Sequence, residues 1–334
     1  IGAGRKVYQD LVSINHAITD KTFFSNPALS HAMDHARDKK KTLHLLGLLS
    51  DGGVHSHIRH LMALIDMACD KGLTDVAVHA ILDGRDTSPQ SGITFVKQLQ
   101  AHLKKKGVGR IASLCGRFYA MDRDTRWERV EKAYDLYTRA KGTLFSDPVE
   151  AMESAYQADQ TDEFIQPIHI IPEQGVSPGT FRDEDSLIFF NFRADRAREI
   201  TRALTEDDFT GFHRQHIPAM ASFVSMTQYD ETFTLNIAFP PRHLTHILGE
   251  EISDQGLAQL RIAETEKYAH VTYFFNGGNE KIFPGEERIL VPSPREVETY
   301  DQKPEMSAEQ VAVKACERIA SGDIDFMVLN FANM

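Results

Sequence analysis

The sequence predicts an α/β protein of mostly parallel sheets with helices on both faces, divided into two domains. Three observations predict it. Short apolar runs that close on glycine and charged residues alternate with stretches of helical periodicity, the grammar of βα units. At 334 residues the chain exceeds a typical single domain. Phe239-Pro240-Pro241-Arg242 interrupts regular structure and marks a linker.

Taken in order, Lys6 to Asp20 places Val7, Leu11, Ile14, Ala17 and Ile18 at helical spacing. A polar connector leads to Thr42–Leu49, a buried strand that ends in Ser50-Asp51-Gly52-Gly53-Val54-His55-Ser56-His57 and is followed by a helix through Ile58, Leu61, Leu64, Ile65 and Ala68. The unit recurs. Leu73–Leu82 is a strand closing on Asp83-Gly84-Arg85-Asp86-Thr87-Ser88-Pro89, with a helix through Phe95 and Leu99. Gly109–Leu114 is a strand closing on Gly116-Arg117, with Trp127–Ala140 as its helix. Leu187–Phe190 closes on Asn191-Phe192-Arg193-Ala194-Asp195-Arg196, and Ala219–Gln228 is one more strand. Beyond the linker, Leu244–Gly256 reads as a helix, Leu257–Ala263 as a strand, Thr265–Phe275 as a helix carrying Lys267, 292–304 as loop, Ala308–Ile319 as an amphipathic helix and Phe326–Phe331 as a strand.

Composition narrows the function classes. A formal net charge of -11 argues against nucleic acid, whose phosphates such a chain repels. No apolar run reaches membrane-spanning length, and IGAGRKVYQD lacks the pattern of a signal peptide, so a cytoplasmic protein without membrane partners is expected. Cys69, Cys115 and Cys316 are widely spaced and odd in number, as for reduced thiols, and offer no zinc spacing. Ile1 is no initiator methionine and the chain stops after a strand-like run, so a piece of a longer polypeptide is expected.

Against that acidic background, GRFYAMDRDTRWERV crowds Arg117, Arg123, Arg126 and Arg129 into one segment. Guanidinium groups are planar forks that match carboxylate and phosphate and keep their charge at neutral pH. In parallel sheets ligands bind beyond the carboxyl ends of the strands. That rule places His55, Arg85, Asp86, Arg117, Arg123, Arg193 and Arg196 on one edge and predicts a pocket for a small polyanion. Asp86 beside Arg85 is the candidate acid/base, and His55 a candidate hydrogen-bonding or acid/base group. His55, His57 and His60 do not share one helix face, which argues against a metal site there. Gly2-Ala3-Gly4 and Gly277-Gly278-Asn279 are too short for phosphate loops. Ser50 and Ser56 read as accessible, but neither lies in a GxSxG elbow.

Six strings in register, LLSDGGVHSH, ILDGRDTSP, GRFYAMDRDTRWERV, FFNFRADRARE, ETEKYAHVTYFFNGG and VETYDQKPEMSA, resemble the cofactor-independent (2,3-bisphosphoglycerate-independent) phosphoglycerate mutases across nearly the whole chain. The resemblance implies a substrate-binding domain, residues 9–242, inserted into a truncated alkaline-phosphatase-like domain, residues 1–8 and 243–334. It implies interconversion of 3-phosphoglycerate and 2-phosphoglycerate through a phosphoserine with two manganese ions and no requirement for 2,3-bisphosphoglycerate, in a monomer. By matching motif, His55, Arg85, Asp86, Arg117, Arg123, Arg193 and Arg196 bind substrate, Lys267 joins them from the other domain, and Asp86 is the acid/base. Arg126 and Arg129 belong instead to the helix that follows, with Trp127 packing into the core. Domain closure about hinges near Tyr8 and 240–245 is expected to exclude water. The family's nucleophilic serine lies in a GNSEVGH-type string before IGAGR, and its metal ligands lie before that string, in a DMVGHTG-type string and at a later histidine. None of these is in the chain, so the chain alone is expected to show no mutase activity and to bind no manganese pair. A binding module without turnover, or a related phosphopentomutase or hydrolase, is the alternative.

Overall fold

The computed structural model describes residues 1–6, 8–171, 178–241, 244–297 and 300–332. It divides into two compact units, Tyr8–Pro241 and the pair Ile1–Val7 with Arg242–Met334. Val7 of the expected first helix and Arg242 and His243 of the expected linker and hinge lie outside the described residues.

In the larger unit, α1 (Asp10–Thr19) starts later than the expected Lys6. The stretch read as a polar connector holds a 3₁₀ turn and a full helix, α2 (Pro27–Lys39). Asn26 caps α2, accepting from the backbone N–H groups of Ala28 and Leu29, with Pro27 at the first helical position. The βα units follow: β1 (Leu43–Leu49), α3 (Ile58–Asp70), β2 (Val76–Leu82), α4 (Gly92–Lys106), β3 (Arg110–Gly116), the single turn α5 (Arg117–Ala120) and α6 (Trp127–Arg139). Two short strands, β4 (Thr143–Phe145) and β5 (Ile168–Ile170), flank α7 (Pro148–Gln157). Beyond them come β6 (Ser186–Phe189), α8 (Arg198–Thr205), β7 (Ser222–Ser225) and β8 (Asn236–Ile237).

These strands form one sheet in the order β4-β5-β3-β2-β1-β6-β7-β8, parallel except where β5 meets β3. Every residue of β1 and β2 is buried, as a parallel strand covered on both faces demands. One apolar cluster lies under α2, α3 and α4, and a second packs beneath α6 and α8 with Tyr134, Tyr137, Phe181 and Phe189. The order of strand addition reverses about β1, which is parallel to β2 on one side and to β6 on the other. The crevice at such a switch point is where this architecture takes its ligand.

The smaller unit carries α9 (Leu248–Asp254), β9 (Gln259–Glu264), α10 (Thr265–Val271), β10 (Glu286–Val291), α11 (Ala308–Ser321) and β11 (Phe326–Asn330). Its strands form a parallel sheet in the order β10-β9-β11. Residues 298 and 299 of the expected loop lie outside the described residues, and Tyr300–Gln302 is a 3₁₀ turn. Among the described residues no helix is long and apolar enough to cross a membrane.

Candidate functional site

The loops after β1, β2, β3 and β6 meet at the carboxyl edge of the larger sheet. Two close approaches set them. Gly84, at φ +65°, turns the β2 loop onto the backbone of Asp162 and Glu163, and a Cβ on Gly116 would collide with the Glu163 carbonyl. The β1 and β6 loops are tied directly, because the His55 carbonyl accepts from the Phe192 N–H at 2.8 Å. Asn191 bridges the same strands, accepting from the Leu48 N–H at 2.9 Å.

Arg117 is the centre of the cluster. Its side chain is 2% exposed, and Nη1 donates to Asp83 Oδ1 and to Asp86 Oδ2, each at 2.6 Å. Asp83 is as deeply buried, and it also accepts from the Ser50 hydroxyl at 2.7 Å and the Asp86 N–H at 3.0 Å. Burial alone would raise the Asp83 carboxyl, but the Asp86 N–H, the Ser50 hydroxyl and Arg117 hold it below the usual carboxylate range. Ser50 and Ser56 were expected to be accessible, and both are fully buried. Ser50 braces Asp83, and the Ser56 hydroxyl donates to the Leu48 carbonyl, so the apolar crowding beneath the strand ends claims both hydroxyls.

His55 stands between two acidic residues of the site, its Nε2 3.9 Å from Asp86 Oδ2 and its Nδ1 3.6 Å from Asp195 Oδ1. Burial, then the charge of Arg117, pushes its imidazole down to about 4, with Asp195 pulling the other way. The ring is therefore neutral at physiological pH. Asp195 accepts from Arg123 at 3.2 Å and Arg193 at 3.0 Å. Arg196 donates to the Met121 carbonyl at 2.9 Å, and its guanidinium is held below its usual range by burial and by the like charges of Arg117, Arg123 and Arg85. Four guanidinium groups thus lie close enough to repel one another. Arg85 reaches to within 3.6 Å of Glu163 and stays 54% exposed, at the rim. His55 Nδ1 and Arg117 Nε are buried without a hydrogen-bond partner among the described residues, leaving buried polar nitrogens for a ligand to satisfy.

Lys267 is on α10 of the smaller unit. His57 caps α3 and accepts from the Arg59 N–H, while His60 is buried and faces Asn15 Oδ1 at 3.1 Å, so the three histidines do different work. Arg126 precedes α6, and Arg129 lies 3.7 Å above the Phe118 ring and 3.4 Å from Asp122. Half-buried Trp127 meets Phe209 edge-to-face at 5.0 Å. Sequence reasoning passed over Asp83, Asp195, Asp122 and Glu163 as site residues. The available signal was that Asp83, Asp122 and Asp195 sit in loops with the arginines, whose charge needs partners, whereas Glu163 lies in a segment without arginine and carried none.

Arg123→Ala is expected to weaken the hold of the cluster on a small carboxylate- and phosphate-bearing anion by about 10- to 100-fold, the loss of one charge-assisted contact. Arg129→Ala should cost severalfold less, and equal losses in a binding titration would refute this partition of the segment.

Fold and site together define a doubly wound α/β domain with an arginine-rich cluster at the switch point of its sheet. The chain belongs to the family described as BPG-independent PGAM N-terminus, whose model matches residues 14–231. It is 55% identical over 333 residues to the 2,3-bisphosphoglycerate-independent phosphoglycerate mutase of Syntrophotalea carbinolica, covering 100% of this chain and 64% of that protein. The protein of the same description from Moorella thermoacetica is 53% identical, again with 64% of its length covered. Among solved structures, phosphoglycerate mutase of Leishmania mexicana, crystallised at low cobalt concentration, matches with TM-score 0.70 and 33% identity over 99% of this chain and 62% of that one. The chain therefore spans 64% of the length of these curated relatives. Independence from 2,3-bisphosphoglycerate, expected from the sequence, is carried by the names of both family and relatives.

Proposed function

We propose that the chain holds phosphoglycerate while its phosphoryl group moves between the 3- and 2-oxygens, as the substrate-binding part of a 2,3-bisphosphoglycerate-independent phosphoglycerate mutase. The observation that carries this reading is the convergence of Arg85, Arg117, Arg123 and Arg196, in which burial and then the like charges of the other three hold the Arg196 guanidinium below its usual range. Such crowding is unfavourable without an anion and favourable with one. The substrate offers two anionic groups, a carboxylate and a phosphate, and the arginines with Arg193 hold them. Neutral His55 serves as a hydrogen-bonding partner. Asp86, 20% exposed beside the buried Arg117, takes and returns the glycerate hydroxyl proton. Several charge-assisted bonds retain glycerate between the two transfers.

In this reading residues 9–242 form the substrate domain, residues 1–8 and 243–334 belong to a phosphatase-like domain, and Lys267 is a substrate contact in the complete enzyme. The resemblance also implies a phosphoserine and two manganese ions. Among the described residues no group of three or more His, Cys, Asp or Glu side chains is placed to hold a metal ion, so the residues present do not fit that pair and no step is routed through it. The setting is a cytoplasmic monomer acting on free phosphoglycerate.

The test is interconversion of 3- and 2-phosphoglycerate by a protein of the relatives' full length carrying this chain. Asp86→Asn should lower kcat about 10²- to 10⁴-fold, the usual worth of a general acid/base. Its KM should stay within a few-fold of the parent. Arg196→Ala should instead raise KM. Absence of interconversion in the parent protein with manganese would refute the reading.

A further inference from the structure

The segment that presents Arg123, residues 121–126, has no regular structure of its own, so side chains must hold it. Two buried carboxyl groups do. Asp122, 4% exposed, accepts on Oδ2 from the N–H groups of Asp124 at 3.0 Å and Arg126 at 2.9 Å, and on Oδ1 from Arg129 at 3.4 Å. Glu199, 6% exposed in the first turn of α8, accepts on Oε1 from the Thr125 N–H at 2.8 Å. Thr125 sits at φ +59°, in the left-handed region that a β-branched residue enters only under constraint. The Glu199 bond falls at that residue.

Glu199 Oε2 has no hydrogen-bond partner among the described residues, although it is buried. As an ionised oxygen there it would be left unsatisfied, facing other acids. As a protonated one it has a hydrogen to give to Asp122. We propose that Glu199 and Asp122 share one proton, that this proton holds the 121–126 segment closed, and that Glu199 is thereby a positioning residue for Arg123. The importance of Arg123 rests on the function proposed above, but the shared proton does not.

The charged surroundings agree. Asp122 and Asp124 face Glu199 from the segment, Arg129 of α6 acts on it through Asp122, and Arg202 of its own helix is turned aside to Glu206 at 2.8 Å and lies 5.5 Å over the Trp127 ring. Arg198, Asp195 and Asp230 line one groove with Glu199 and Arg123. Burial pushes the Glu199 carboxyl up to about 7, the Thr125 N–H pulling against it and Asp122 and Asp124 adding to it. Two carboxylates in one buried site do not both ionise readily. Below that pH the proton is retained, the segment is closed, and Arg123 meets Asp195. Above it the pair repels, and Thr125 loses the support its backbone requires.

Trp127, the only tryptophan of the chain, lies two residues from Thr125 and reports on the segment. In the 334-residue chain, Trp127 fluorescence should titrate with a midpoint near pH 7. Glu199→Gln, whose amide donates to Asp122 and accepts from Thr125, should be flat, and Asp122→Asn, which removes the neighbouring charge, should move the midpoint to lower pH. In the full-length protein, KM for 3-phosphoglycerate should rise at least about threefold between pH 6.5 and 8.5, with kcat changing less, and Glu199→Gln should abolish the rise. A titration that persists unchanged in both variants, or no titration in the parent chain, overturns the proposal. If the fluorescence behaves as expected but phosphoglycerates are not interconverted, the shared proton stands and the functional reading falls.

Discussion

Arg117→Met is expected to abolish most activity and to destabilise the protein, and the two losses should separate on a second substitution. Arg117 is the only guanidinium of the cluster that is almost fully buried, and it neutralises two carboxylates at once. Removing one partner of such a pair leaves a buried charge uncompensated, which costs about 3–5 kcal/mol where nothing else remains to satisfy it. Asp83 keeps the Ser50 hydroxyl and two backbone N–H groups, so the low end of that range is expected. In kcat/KM the loss should be about 10²- to 10³-fold, since both the anion contact and the placement of Asp86 disappear. Arg117→Met with Asp83→Asn should recover most of the stability, because an amide fills the acidic position without charge. It should recover none of the activity. Urea unfolding and steady-state kinetics on the same proteins check both halves. If the double variant regained activity, Arg117 would be a structural counter-ion only.

The contrast between Arg117 and its neighbours marks how far the sequence could be read. The βα alternation was legible because β1, β2 and β3 are predominantly apolar and end abruptly in glycine and charge. One topological rule then put seven distant residues on one edge, where the structure finds them. Which arginine is buried was not legible, because that depends on Gly84 and Gly116 admitting the Asp162–Glu163 backbone from much later in the chain. Two of the helices that sequence reading missed, α2 and α7, share a signal that was present. Each begins with an Asx-Pro pair, Asn26-Pro27 and Asp147-Pro148, in which the side chain caps the first N–H groups and proline takes the first turn. Their apolar faces are narrow and their remaining residues polar, so periodicity alone passed them over. Strand β10 begins with Glu286, Glu287 and Arg288, and its buried ion pair, Arg288 to Glu286 at 2.5 Å, hides a strand inside a charged string.

A second feature that periodicity obscured governs the response to acid. The strands β1 and β2 read as apolar, yet His44 and His79 sit fully buried within them. His44 Nε2 lies 3.1 Å from Asp185 Oδ2, its Nδ1 lies 3.0 Å from His79 Nε2, and His79 Nδ1 lies 2.8 Å from the Ser113 hydroxyl. One arrangement of protons satisfies the row. His44 donates to Asp185, His79 donates to His44, Ser113 donates to His79, and both rings are neutral. A proton added to His44 sets N–H against N–H, and one added to His79 obliges the Ser113 hydroxyl to turn its hydrogen away and accept instead. Burial lowers both imidazoles, outweighing Asp185 at His44 and joined at His79 by the repulsion that a proton there would meet from His44, Arg110 and His169. Burial also brings His55 down to about 4 and His60 to about 3. The unfolded chain takes up protons at these rings near pH 6.5 while the folded chain does not, so their stabilisation is complete above that pH and is lost as pH falls below it. Each ring contributes a slope of about 1.4 kcal/mol per pH unit within its window. Urea unfolding between pH 8 and pH 5 should therefore show a steep loss below about pH 6.5. His79→Gln, whose amide donates to His44 and accepts from Ser113, should reduce the slope by one ring's share. An unchanged slope in that variant would place the acid sensitivity outside the buried row.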